Sequence, residues 1–225
     1  MRKSTVKGLL LCLLVPFVQK SNAQVRVGVF GGGQVTSAKY SVIERFSQEK
    51  IKQSTGQKAG LQLGTSLKVP FENQLYFSPA VYYSLKGYKV TLNRVTPIPD
   101  SAAVNNETRI HTIEIAPLLQ YDFSAKPSHF FVKAGPAVDV AISGQENFDT
   151  KDQKHIDRPM KFSYQDYGVF TAQAIVQFGY EAANGLYVFA HYAHGIGSLN
   201  NNDHGPRILH RIAGLSLGWY LNGKK

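Results

Sequence analysis

The chain predicts an all-β fold, an eight-stranded antiparallel up-and-down transmembrane β-barrel, and three observations carry that expectation. Beyond an apolar leader, eight segments alternate apolar and polar residues with a period of two. The connections between those segments alternate strictly between short and long. No segment after the leader is long and apolar enough to be a transmembrane helix.

Residues 1–23 read as an export signal, and residues 24–225 as the barrel domain. Arg2, Lys3 and Lys7 precede the apolar run "GLLLCLLVPFV", and "SNA" supplies small residues for cleavage. Cys12 sits within that run behind leucines, whereas a lipidated cysteine would follow a small residue. It is also the only cysteine, so the exported domain has neither disulfides nor thiol chemistry. Four of the net ten positive charges belong to the leader, as Arg2, Lys3, Lys7 and Lys20. The remaining excess forms no Lys/Arg stripe interleaved with aromatics, which argues against nucleic acid as a partner and leaves anionic headgroups or sugars.

With turn residues as punctuation, strands are expected at 24–35, 57–69, 74–90, 108–123, 129–142, 164–180, 185–197 and 207–222. The first contains "VFGGGQV", which lacks the Lys-Ser/Thr ending of a phosphate loop; its glycines read as close packing inside a barrel. The second, "GLQLGTSLKV", sets Leu61, Leu63, Leu67 and Val69 against Gln62, Gly64, Ser66 and Lys68. The third sets Leu75, Phe77, Val81 and Leu85 against Tyr76, Ser78, Ser84 and Lys86. In the fourth, Ile113, Ile115, Leu119 and Tyr121 oppose Thr112, Glu114 and Gln120; in the fifth, Phe130, Val132, Val138 and Val140 oppose Lys133, Gly135 and Asp139. The last two are less regular: "LYVFAHYAHGIG" carries aromatics on both faces, and Arg211 falls on the outer face of the closing strand, so a shifted register or a bulge is expected there.

Short turns fall at "PFEN" (70–73), "SAKPS" (124–128) and "EAAN" (181–184), and long polar connections fall between the other strands. Outer-membrane barrels place short turns on the periplasmic side and long loops outside. In such a barrel the apolar face meets lipid, and every backbone amide is paired because the sheet closes. Arg26, Lys68, Lys86, Glu114, Lys133 and Asp139 then become interior charges that have to pair, since an isolated buried charge costs several kcal/mol. Tyr83, Tyr121, Phe123, Tyr180, Tyr192 and Trp219 lie toward strand ends, as an interfacial girdle requires. A soluble lipocalin-like barrel is the rival fold, and it would need apolar side chains where these lysines stand.

The segments "VRVGVFGGGQV", "LYFSPAVYYSLKGY", "FFVKAGPAVDVAIS", "AHYAHGIGSL" and "AGLSLGWYL" resemble the small outer-membrane β-barrel proteins of Bacteroidetes, the porin-like or PorT-like group of small OmpA/OmpX-type barrels. The resemblance spans nearly all of 24–222. It implies an outer-membrane barrel without assigned activity, with a surface or secretion-system protein as a partner. The chain departs from many such barrels by ending "GWYLNGKK" and not on an aromatic residue.

An enzyme is not expected. The segment "HYAHGIGS" resembles the "HYS" segment of outer-membrane lipid A deacylases, but the nucleophile position is Ala193, so His191 has no hydroxyl to activate. His191, His194, His204 and His210 lack a helical metal-ligand spacing, and Asp149, Asp152 and Asp157 alternate with Lys151 and Lys154 as in a solvated loop, so no metal or cofactor is expected. The tripeptide Asp100–Ala102 resembles a short O-glycosylation signal. The reading is thus an interaction barrel anchored in outer-membrane lipid, plugged by side chains, with four long loops for ligands or partners. The alternative is a narrow transport channel or a lipid-active barrel.

Overall fold

Alternation becomes a closed wall. The computed structural model describes residues 25–43, 50–92, 103–163, 166–202 and 205–221. The proposed leader, the Asp100–Ala102 tripeptide and His204 lie outside them. Eight long strands form the barrel: β1 (Arg26–Ile43), β4 (Lys58–Glu72), β5 (Leu75–Lys86), β7 (Asn105–Asp122), β8 (His129–Asp149), β10 (Phe170–Glu181), β11 (Leu186–Gly195) and β12 (Arg207–Tyr220). Four short ones, β2 (Lys50–Lys52), β3 (Ser54–Gly56), β6 (Lys89–Thr91) and β9 (His155–Pro159), lie in the long connections.

Every barrel strand pairs antiparallel with its neighbour in the chain, and β1 pairs with both β4 and β12, so the meander closes. Closure leaves no barrel edge with unpaired amides, as hydrocarbon requires. The tight turns, including Asn73 at φ 49 and Gly185 at φ 86, all lie at one end together with the start of β1 and the end of β12. Asn and Gly tolerate this left-handed geometry with little steric cost.

At the opposite end the strands run further than their hydrophobic pattern indicates. β1 continues to Ile43 and β8 to Asp149, where pairing with β9 makes a hairpin of residues expected to be a solvated loop. The mixed charges there mask strand alternation. β10 begins at Phe170, so of the expected strand residues 166–169 belong to the connection, and 164–165 lie outside the described residues. A bulge at Ile142, where His111 opposes Ser143 but Thr112 opposes Ala141, reverses the facing of β8. Glu146 and Phe148 therefore point inward although Asp139 and Ala141 belong to the opposite parity.

The oily side is the outside. Leu61, Leu63, Val81, Ile115, Leu119, Val176, Leu215 and Leu217 are exposed, Leu63 at 63% and Leu215 at 66%. An aromatic band marks the turn end: Phe71, Tyr121, Phe123, Phe130, Phe178, Tyr180 and Trp219 are exposed, and Phe130 stacks on Phe178 with ring centroids 5.8 Å apart. Arg211 does face outward, yet its register is regular: Ser37 and His194 flank it without a bulge. The expected irregularity is absent, because β12 keeps one parity throughout and carries Arg211 outward near the long-loop edge of the apolar band.

Inside, the faces expected to hold small residues and occasional charges also carry aromatics. Phe30, Tyr82, Phe131, Tyr187, Phe189 and Tyr220 form one core, and Tyr40, Tyr88, Ile110, Phe148, Met160 and Tyr167 belong to a second. Tyr187 lies where Gly28 and Gly218 have no side chains; a Cβ at Gly218 would stand 2.3 Å from the Tyr187 ring. Of the three glycines in "FGGGQ", Gly32 is closely packed, since a Cβ there would stand 2.2 Å from Ser216 Oγ, whereas a Cβ at Gly33 would meet nothing within 4 Å.

Candidate functional site

Three levels of the interior carry polar chemistry. Near the turn end, Lys68 Nζ donates to Asp122 at 2.6 Å and to Glu181 at 2.8 Å. Arg26 also pairs with Glu181, and its guanidinium lies 4.1 Å over the Tyr220 ring. His129 Nε2 is 2.9 Å from Asp122 and 3.4 Å from Lys68 Nζ. β1, β4, β7, β8 and β10 each contribute one of these side chains at or near a strand terminus, so barrel closure assembles the group.

Asp122, His129 and Glu181 offer three closely spaced metal-ligand atoms. Lys68 already contacts all three. An ammonium in that position supplies the positive charge a metal would bring, so the geometry is that of an internal ion cluster.

A second cluster lies nearer the long-loop end. Lys86 Nζ is 2.7 Å from both Glu114 and Asp139, and Gln173 and Thr171 donate to the same carboxylates. Between the two levels, Gln62 donates to Ser216 at 2.8 Å and lies 3.4 Å from His191 Nδ1. Small internal cavities lined by residues such as Gln62, Glu114 and His191, or Ser66, Lys133 and Tyr187, have room for about one water each.

Of the six interior charges read from the sequence, the structure brings Arg26 and Lys68 into the first cluster and Lys86, Glu114 and Asp139 into the second. Lys133 departs from the expected pairing. It is buried with no ion pair among the described residues, and its Nζ sits 5.2 Å from the Phe131 ring and 5.6 Å from that of Tyr187. Its strand neighbours are Gln120 and Gln177, so no carboxylate stands opposite it. Sequence reasoning missed Asp122, His129 and Glu181. Parity on the fourth strand places Asp122 inward with Glu114 and Gln120, whereas Glu181 opens the turn-like "EAAN" and yet ends β10 facing inward.

Above the second cluster the strands enclose a crown. Tyr167 donates to Glu146 at 2.7 Å, Arg158 donates to the same carboxylate at 2.8 Å, and the Arg158 guanidinium covers the Phe148 ring at 4.9 Å. Burial, reinforced by Tyr88 and Glu146, pushes the Tyr167 hydroxyl well above the usual tyrosine range, keeping it a donor. At the hairpin tip, hydrogen bonds from Asn105 and His155 hold the Asp149 carboxyl below the usual carboxylate range.

His191 is buried and points inward, as does Ala193. Neither presents chemistry to the lipid face.

The model of the family described as outer membrane protein beta-barrel domain matches residues 17–201. A comparison with curated protein sequences finds no match. Among solved structures the chain is similar to the attachment invasion locus protein Ail of Yersinia pestis in complex with the heparin analogue sucrose octasulfate, at 8% identity and TM-score 0.41 over 87% of this chain and 99% of that one. It is also similar to OprG from Pseudomonas aeruginosa, at 11% identity and TM-score 0.44 over 88% and 97% of the two chains. For Neisserial surface protein A the values are 13%, 0.40, 85% and 96%. With its closed eight-stranded meander and outward apolar wall, this chain belongs to the outer membrane protein β-barrel domain family and resides in the outer membrane.

Proposed function

We propose that this protein is a non-catalytic interaction barrel, of the PorT-like kind the sequence resembles, whose crown contacts a surface or secretion-system protein. The observation that carries this reading is the crown itself. β2, β3, β6 and β9 extend the barrel sheet beyond the lipid band, and Tyr40, Tyr88, Phe148, Met160 and Tyr167 fill it with a core of its own. Paired strands and a core give the crown a fixed shape, which lowers the ordering cost of binding a macromolecule. The two ion clusters and the aromatic plug occupy the cross-section below it, which favours this reading over a conduit.

Two measurements test it together. In planar bilayers the folded protein is expected to give no discrete conductance steps; steps abolished by Lys86→Met would establish the channel reading instead. Replacing the hairpin tip 150–154 with a short glycine turn is expected to abolish co-isolation of the surface partner after cross-linking in cells, while the barrel still folds. Co-isolation unchanged by that replacement would overturn the crown as the contact surface.

A further inference from the structure

Arg211 belongs to a group. It lies between Ser37 of β1 and His194 of β11, and four residues nearer the long-loop end Arg207 stands opposite Ser41. Ser41 also pairs with Lys52 of β2, and Lys39 lies between these rows on the same outward face of β1. Lys52, Arg207 and Arg211 are exposed, and Lys39 is half-buried. Among the described residues none of these four cations forms an ion pair. The interior lysines and Arg26, by contrast, are each matched to a carboxylate or an aromatic ring.

Their height is informative. Trp219 marks the aromatic band at the turn end, and Arg211 and Arg207 lie eight and twelve residues along β12. At ~3.4 Å per residue and a tilt of ~40°, these positions are ~20 Å and ~30 Å above Trp219. The apolar band of an outer-membrane barrel is ~25 Å tall. The two arginines therefore straddle the boundary between acyl chains and headgroups, directly above exposed Val35, Leu215 and Leu217. The opposite wall differs. There Glu107 pairs with Lys89 at 3.0 Å and with Lys58 at 2.7 Å, and Arg109, opposite Gln145, has no second outward arginine beside it among the described residues.

We infer that the outward face of β2, β1, β12 and β11 at this boundary holds a phosphate-bearing lipid headgroup of the outer leaflet. Guanidinium groups bind phosphate oxygens bidentately, lysines add charge, and the half-buried Ser37 leaves the strand surface low beside Arg211, while Ser41 is buried between Lys52 and Arg207. Lipid is favoured over a soluble phosphate because the apolar wall continues without interruption beneath the cations, where the acyl chains of the same molecule would lie.

The test uses the full barrel folded in detergent and native mass spectrometry to count retained lipids. Phosphatidic acid is expected to be retained about tenfold or more over diacylglycerol, given three to four basic groups near the headgroup. An excess of glycerol 3-phosphate should not displace it. Arg207→Gln with Arg211→Gln should bring phosphatidic acid to the diacylglycerol level, whereas Arg109→Gln should not. An electrophoretic shift between unboiled and boiled samples shows that each variant has folded, and Lys39→Gln with Lys52→Gln serves if the arginine pair does not fold. Equal retention of both lipids, an equal loss with Arg109→Gln, or displacement by glycerol 3-phosphate would overturn the inference, the last by showing a soluble-phosphate site.

Discussion

Lys68 and Asp122 meet 2.6 Å apart inside the barrel, one from β4 and the other from the end of β7. Both side chains are almost wholly buried, so Lys68 depends on Asp122 and Glu181, and Asp122 on Lys68, His129 and Gln120, for the solvation that water supplied before folding. Lys68→Met leaves two carboxylates together with Arg26, His129 and the Gln120 amide beside them. The loss expected is about 3–5 kcal/mol, read as a lower urea midpoint for unfolding in lipid vesicles. An unchanged midpoint would show that water enters this end of the barrel and solvates the cluster.

Lys133 predicts the opposite sign. It is buried without a carboxylate partner, so Lys133→Met exchanges an ammonium for an apolar chain of similar length beside Phe131 and Tyr187. Stability is expected to stay level or rise by about 1 kcal/mol or more. A marked loss in the same urea assay would mean that the ring contacts outweigh the cost of desolvation.

Gly218 tests the plug. Because the Tyr187 ring occupies the space of its missing side chain, Gly218→Val drives a branched group into a filled interior. Destabilisation of about 1–3 kcal/mol is expected from overpacking. Adding Tyr187→Ala to Gly218→Val should recover part of it, and a purely additive pair of losses would argue against direct contact.

The crown should fail separately from the barrel. Phe148 is 1% exposed and covered by Arg158, so Phe148→Ala is expected to cost the crown about 3–5 kcal/mol. The β8–β9 hairpin should become cleavable by an added protease while the heat-dependent gel shift survives. Loss of the shift would show that crown and barrel fold as one unit.

Acid should loosen the same hairpin. Asp149 has a folded value below its unfolded one, so its contribution is present above the ordinary carboxylate range, near pH 4, and disappears as pH falls through the depressed value. Amide exchange at the tip, taken relative to an intrinsic rate that itself slows toward acid, is expected to be in excess at pH 3 over pH 5. Asp149→Asn should remove that excess, and an identical profile in the variant would assign it elsewhere.

Period-two alternation in segments such as "GLQLGTSLKV" determined by itself that the chain is a sheet with one apolar and one polar face, and loop lengths determined which end carries the turns. These properties are local, since facing depends only on parity along a strand. The inward parity of Lys68, Lys86, Glu114 and Asp139 was legible for the same reason. Which charges meet was decided only in three dimensions: Lys68 reaches Asp122 and Glu181 because β4, β7 and β10 bring their ends together around one closed ring. Glu181, with its turn-like neighbours, gave no local sign of facing inward. The bulge at Ile142 and the crown strands were also invisible to alternation, because one extra residue reverses parity and mixed charges conceal it. Arg211 shows the same division most simply: its outward facing is a matter of parity, and its place at the lipid boundary follows from how far β12 rises.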